Sequence, residues 1–270
     1  MYMPDESMFI QKYGEILGRG RTALICGTDE VAAKIYVEWF SKDKIFHEAY
    51  LMALVEECGL PVPKVYGIEQ CGTRYVLRMS RAKGRELAEI TKSGEITPEA
   101  LTDLLVALQV QMHQISVNAS HLPSTVSEFR RYISCNSWLT DAEKQKLLRL
   151  LESMPNGNSL CHGDFHAGNI LVEHDVYTII DWAEVSMGPA AADACRTYMD
   201  YRYLVLDTDD KKLSYEGAER YLERYTAATG VTREEILAWL PFHAATLYGQ
   251  HVKDEGMNRD LHAIIRECVE

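Results

Sequence analysis

The chain opens on two short apolar runs, GEILGRGRTALIC (14–26) and EVAAKIYV (30–37), bounded by glycine or charge and carrying β-branched residues. This pattern predicts two antiparallel strands. The next segment, KDKIFHEAYLMALVEEC (42–58), places Ile45, Ala49, Met52, Ala53 and Val55 at helical spacing and is followed by Gly59, a helix stop. PVPKVYGIEQCGTRYVLRM (61–79) reads as two further strands around a Cys-Gly turn, and the polar SRAKGRE (80–86) reads as a linker.

Beyond the linker the period changes from two to about 3.6. Thr97-Pro98-Glu99 has a capping hydroxyl, a proline at the first helical position and an acid at the positive end of the dipole. Leu101, Leu104, Leu105, Leu108, Met112 and Ile115 mark the expected buried face of that helix. Thr140 with Glu143, and Thr232 with Glu235, have capping-box spacing, and YLERY (221–225) belongs to another helix. The pattern predicts an α+β, two-lobed chain. Residues 1–79 form a small antiparallel β-sheet lobe with one helix, 80–86 the linker, and 87–270 a larger, mainly helical lobe.

Composition narrows the function classes. With 270 residues, 47% apolar and 25% charged, the chain can bury a large core. It contains no run of about 18 apolar residues that would span a membrane, and MYMPDESMF does not read as a secretory signal. Seven cysteines with no C-x-x-C spacing suit reduced, small buried side chains in a cytoplasm. The net charge of −12 argues against a nucleic-acid partner. The charge is also uneven: residues 1–90 carry 13 acids and 12 bases, and residues 91–270 carry 27 acids and 16 bases. That imbalance fits either a solvated acidic surface or attraction of a cationic partner.

The densest chemistry lies in LCHGDFHAGNILV (160–172). His162, Asp164 and His166 on alternate positions would share one side of an extended segment, as metal ligands do. A binuclear hydrolase needs further His and Asp clusters, and the remaining histidines are isolated. A phosphotransfer reading makes a different demand. Asn169–Glu173 and Tyr177–Asp181 form two strand-like runs. A three-residue loop would set Asn169 opposite Asp181, and a two-residue loop would shift the register by one. Either way a carboxamide and a carboxylate converge, a donor set suited to Mg²⁺, with Asp164 on the preceding loop. Phosphoryl transfer needs such a set: a carboxylate for the acceptor's proton and oxygen ligands for the metal. His162 is expected to hold the loop rather than a metal; His166 is expected to be structural and Glu184 a loop residue, with contact to the acceptor the alternative for each.

Further parts stand in order along the chain. Leu17-Gly18-Arg19-Gly20 would let backbone approach phosphates, although Ala23 replaces a third glycine. Lys34, in Val31-Ala32-Ala33-Lys34, is placed like the phosphate-holding lysine of kinase-like folds, and Glu48 on the next helix could orient it. His162-Gly163-Asp164…Asn169 with Ile180-Asp181-Trp182, followed by Gly188 and Asp193, resembles the aminoglycoside phosphotransferase and choline kinase superfamily, from Gly18 to beyond residue 215. The resemblance implies a protein-kinase-like fold that uses Mg²⁺ with ATP or GTP. It implies Asp164 as catalytic base, Asn169 and Asp181 as metal ligands, and Lys34 with Glu48 at the nucleotide phosphates. Met79, Ser80 and Ala82 would line the adenine at the hinge. The SRAKG stretch and the early Pro189 depart from the family pattern.

Between Asp181 and Asp193 there is no room for a phosphorylatable activation segment and no A-P-E follows, which points to a small-molecule acceptor. The acidic second part suits a cationic aminoglycoside. A choline-like amino alcohol, a sugar or an amino acid is the alternative, and a non-catalytic nucleotide-binding pseudokinase is a third. Oligomeric state is not legible.

Overall fold

The computed structural model describes residues 6–115, 121–204, 211–249 and 255–269. One of the isolated histidines, His251, lies outside them. The chain divides into two compact units, one running to Leu87 and including Gly168–Ala183, the other formed by Ala88–Ala167 and Glu184–Glu270.

In the first unit α1 (Glu6–Tyr13) precedes β1 (Glu15–Arg19), β2 (Ala23–Gly27), β3 (Val31–Tyr36), α2 (Lys42–Glu56), β4 (Val65–Cys71) and β5 (Arg74–Ser80). The five strands form one antiparallel sheet in the order β1-β2-β3-β5-β4. The first apolar run is thus itself a hairpin of two strands, not one strand. Its turn closes where Gly20 N–H donates to Ala23 O at 2.9 Å. The sheet-bearing unit also has two helices where the pattern gave one. α1 is short and mostly polar, but Phe9 and Tyr13 are buried against Leu24, Cys26, Ala33, Ile35, Cys71 and Val76. Burying a phenyl ring contributes about 1.5–3 kcal/mol, enough to dock a helix whose periodicity is weak. On α2 the buried stripe is Ile45, Glu48, Ala49, Leu51, Met52 and Val55, while Ala53 is exposed.

The linker ends in structure. Arg85–Glu86 is a two-residue strand, β6, which pairs with β8 (Ile170–Glu173); β8 pairs in turn with β9 (Val176–Ile179).

The second unit is mainly helical: α3 (Leu87–Lys92, which straddles the boundary), α4 (Pro98–His113), α5 (Thr125–Cys135), α6 (Asp141–Glu152), α7 (Ala190–Met199), α8 (Lys211–Thr229), α9 (Arg233–Leu237), α10 (Leu240–Leu247) and α11 (Glu255–Val269). Short strands β7 (Ser159–Cys161) and β10 (Ser186–Gly188) pair antiparallel. Thr97 caps α4 through Ala100 N–H at 3.2 Å, and both capping boxes form. The buried face of α4 is rotated from the leucine stripe. Leu101, Leu105 and Met112 are buried as expected, Leu104 and Leu108 are half-buried, and Thr102, Gln109 and His113 share the inner positions. Phe129, Trp239 and Phe242 form an aromatic core, with ring centroids 5.7–5.8 Å apart. Cys26, Cys71, Cys161 and Cys195 are buried as expected of small apolar residues, whereas Cys135 and Cys268 are exposed.

Candidate active site

Lys34 lies on β3, an inner strand of the five-stranded sheet, and its ammonium donates to Glu48 Oε1 at 2.6 Å and to Asp181 Oδ1 at 3.0 Å. Glu48 is almost fully buried, while the Asp181 side chain is 45% exposed. Burial opposes the lysine's charge, but the two carboxylates hold its pKa above the ordinary value. The ammonium also lies 5.7 Å from the ring centroid of buried Tyr36.

Lys34, Glu48 and Asp181 line a cavity of about 420 Å³ within the first unit. Gly18, Gly20, Met79, Ser80, Ala82 and Asn169 line it as well, so nine of the residues singled out in the sequence meet at one place. Ile25, Ala32, Met52, Leu171 and Ile180 supply apolar wall, and Arg19 and Arg21 line it beside the glycine turn. A Cβ on Gly18 or Gly20 would meet no protein atom closer than 3.6 Å, so packing does not require glycine at either position. A bulge in β1 between Ile16 and Gly18 bends the strand where it enters this turn.

The hairpin that carries Asn169 and Asp181 at its open end closes with a two-residue turn. His174 and Asp175 both take positive φ, 48° and 63°, the conformation that matches the twist of tightly joined strands. The three-residue loop that would set Asn169 opposite Asp181 is therefore not used. Ile170 pairs with Ile179, and Ile180 N–H donates to Asn169 O at 2.9 Å. Asp181 lies one residue beyond the ladder at φ 64°, a left-handed backbone that costs energy outside glycine and concentrates at functional sites. Trp182, fully buried, anchors this corner through Nε1–H to Ile179 O at 3.0 Å.

Asp164 belongs to the second unit. It is half-buried, and Oδ1 accepts from Arg196 Nη2 at 2.5 Å while Oδ2 is 3.7 Å from His166 Nε2. Burial would raise its carboxyl, but Arg196, with His166 and His162, holds it well below the ordinary range. His162 is fully buried, and its Nδ1 accepts Asp164 N–H at 3.2 Å, which fixes the loop. Gly163 takes φ 81°, and a Cβ there would come within 2.5 Å of Glu184 O, so only glycine fits. Its N–H donates to Asp193 Oδ1 at 2.7 Å. Asp193 Oδ2 also receives His113 Nε2 at 2.9 Å and Gln109 Nε2 at 3.0 Å. Burial alone would raise Asp193, but these hydrogen bonds and His113 lower it to about 2. Among the described residues, no group of three or more His, Cys, Asp or Glu side chains is placed to share a metal ion.

Comparison with known proteins places this arrangement. The family model described as "APH: Phosphotransferase enzyme family" matches residues 40–239, well over half the chain. The chain belongs to the phosphotransferase enzyme family. No curated protein sequence matches it. Among solved structures it is similar to a thermostable mutant of aminoglycoside phosphotransferase APH(4)-Ia in complex with ADP and hygromycin B. That match has TM-score 0.68 and 16% identity, covering 98% of this chain and 97% of the other. An amicoumacin kinase bound to AMP-PNP, Ca²⁺ and its antibiotic gives 0.63 at 16% identity, over 98% and 93%. A choline/ethanolamine kinase family protein from Mesorhizobium loti gives 0.56 at 14%, over 95% and 87%. At these identities the likeness establishes the fold, the protein-kinase-like arrangement of an antiparallel sheet followed by a mainly helical remainder.

Several residues of this phosphotransferase were not singled out in the sequence. Arg196 joins Asp164 to buried Asp200, and the pair's i, i+4 spacing on α7 is a legible cue. Tyr132 donates its hydroxyl to Glu184 Oε2 at 2.5 Å, so Glu184 is tied to α5. The surrounding protein, opposed by Tyr132 and Arg196, raises the Glu184 carboxyl above the ordinary range. Among the described residues no helix is long and apolar enough to cross a membrane.

Proposed function

We propose that this phosphotransferase moves the γ-phosphoryl group of Mg²⁺·ATP to a hydroxyl of a small molecule. The observation that carries the reading is Lys34, held between buried Glu48 and more exposed Asp181 in a cavity with apolar walls and a glycine turn. Residues 1–79 carry the nucleotide-binding sheet, 80–86 act as hinge, and 87–270 contribute the catalytic loop, the metal ligands and the acceptor site. The apolar wall takes the purine, with Met79, Ser80 and Ala82 along its edge. Lys34 reaches the phosphates, and Glu48 keeps it aimed. Gly18 and Gly20, which packing does not require, leave room for phosphate oxygens against backbone.

Asn169 and Asp181 would hold Mg²⁺. They are a carboxamide and a carboxylate lining the same cavity, hard oxygen donors that leave room for water and phosphate oxygens. When bound, the ion neutralises charge on the transferring phosphates. Asp164, five positions before Asn169 in the chain, receives the acceptor's hydroxyl proton. For the acceptor, the excess of acids after residue 90 favours a cation, and an aminoglycoside is the first choice. The neighbouring aminoglycoside phosphotransferase with hygromycin B supports that choice, while the choline/ethanolamine relative keeps an amino alcohol as the alternative.

The test is ADP release with Mg²⁺·ATP or Mg²⁺·GTP against aminoglycosides, choline, methylthioribose, homoserine and simple sugars. Release that depends on one acceptor class and disappears in Asp164→Ala is the expected result. Failure to bind either nucleotide would overturn the reading.

A further inference from the structure

We propose that Arg196 is a positioning residue for phosphoryl transfer: through Oδ1 it fixes the orientation in which Asp164 meets the acceptor's hydroxyl. The proposal rests on the reading of Asp164 as the proton-receiving residue. Arg196 projects from α7 with its side chain 15% exposed. Nη2 donates to Asp164 Oδ1 at 2.5 Å, and Nε donates to the two oxygens of Asp200 at 3.0 and 3.2 Å. Asp200 is 1% exposed and begins a π-helical turn, Asp200–Leu204, of the kind often found at functional sites. One planar guanidinium is therefore pinned by a buried carboxylate and aims its remaining edge at Asp164. A lysine, with one pivoting ammonium, cannot reproduce that geometry.

Among the described residues, the other charged and titratable groups acting with Asp164 include His166, His162, Glu184 and Asp200, and of these with Arg196 the guanidinium is the permanent cation. A carboxylate so paired is a weak base. Its contribution lies in holding the hydroxyl in line while the new P–O bond forms and the bond to the β–γ bridging oxygen breaks. That electron pair leaves on ADP, and the hydroxyl proton reaches Asp164 late, then solvent.

The experiment uses the full chain as wild type, Arg196→Lys, Arg196→Gln, and Arg196→Gln with Asp200→Asn, the last leaving no buried acid without its partner. The first readout needs no acceptor: the carboxyl ¹³C shift of Asp164 across pH in aspartate-labelled protein, assigned against Asp164→Asn. In the wild type the signal should stay that of a carboxylate throughout the folded range, and in the double variant it should titrate at or above the ordinary value of about 4, because burial is then no longer opposed by the guanidinium. The second readout is the rate with Mg²⁺·ATP and the acceptor found in the panel. We expect kcat to fall roughly a hundredfold in the double variant, with the acid limb of the profile moved up, nucleotide KM unchanged and partial recovery in Arg196→Lys. Ordinary titration of Asp164 in the wild type overturns the proposal, as does an unchanged kcat in the folded double variant. A wild type that transfers nothing while Asp164 stays ionised overturns the function reading instead, leaving the clamp intact.

Discussion

Each unit holds one cation between two carboxylates, and in each pair one acid is buried and the other more open. In the first unit Lys34 lies between Glu48 and Asp181; in the second Arg196 lies between Asp200 and Asp164. The difference is in the cation. A lysine ammonium is a compact charge on a flexible stem, so Lys34 can pivot between Glu48 and Asp181. A guanidinium is a rigid fork, so Arg196 holds its acids in fixed orientation. An adjustable ion pair in the first unit thus stands against a rigid one in the second.

The largest effect expected is from Asp164→Ala, which should lower transfer by about 10²–10⁴-fold with nucleotide affinity unchanged, read by turnover and by nucleotide titration. A parallel loss of affinity would break the division between the two ionic clusters. Lys34→Met should cost about 10²-fold in kcat/KM, with the fall in both nucleotide binding and rate, because the exchangeable charge acts on the phosphates themselves.

The two units should also respond differently to pH. His243 is buried, its Nε2–H donating to Ala192 O at 2.7 Å, and burial, aided by Arg196, pushes its pKa down to about 3. Below about pH 6.5 the unfolded chain takes up a proton that the folded chain refuses, so stability falls as pH falls from about 6.5 toward 3, by up to about 1.4 kcal/mol per unit. His243→Gln keeps the donor and should flatten Tm against pH over that window. An equal slope in both proteins would count against the buried neutral imidazole.

Asp181→Asn should weaken nucleotide binding about tenfold with Mg²⁺ present and little without it, which separates a metal role from the ion pair to Lys34. The smallest effect is expected from Arg21→Ala. This exposed charge on the glycine turn should raise nucleotide KM by an amount corresponding to about 0.2–1 kcal/mol, and salt should erase the difference.

What could be read in advance follows from distance along the chain. Strands 65–71 and 74–80, the helix at 42–56 and the caps at Thr97, Thr140 and Thr232 are local patterns, and each formed. Lys34, Glu48, Asn169 and Asp181 could be singled out because each lies on a short motif, although only folding shows that the glycine turn and hinge residues share their cavity. Arg196 is 32 residues from Asp164, and its i, i+4 pairing with Asp200 looks like a solvated helix face until burial is known. α1 has too little apolar periodicity to be read; two aromatic side chains docked on a sheet decide it. Gln109 and His113 widen the buried face of α4 beyond Leu101, Leu105 and Met112 because Asp193 rewards inward polar groups, which a leucine count does not register.

The turn at His174-Asp175 bears on which insertions and deletions the chain can accept. It joins two strands in a register that ends with Ile180 opposite Asn169. Adding or removing one residue there would carry every later side chain of β9 to the other face, Ile179 included, and would move Asp181 with them. Length variants of this turn should therefore survive only in steps that preserve parity. Ordinary surface loops tolerate drift in length, but this exposed turn is counted as strictly as a codon frame.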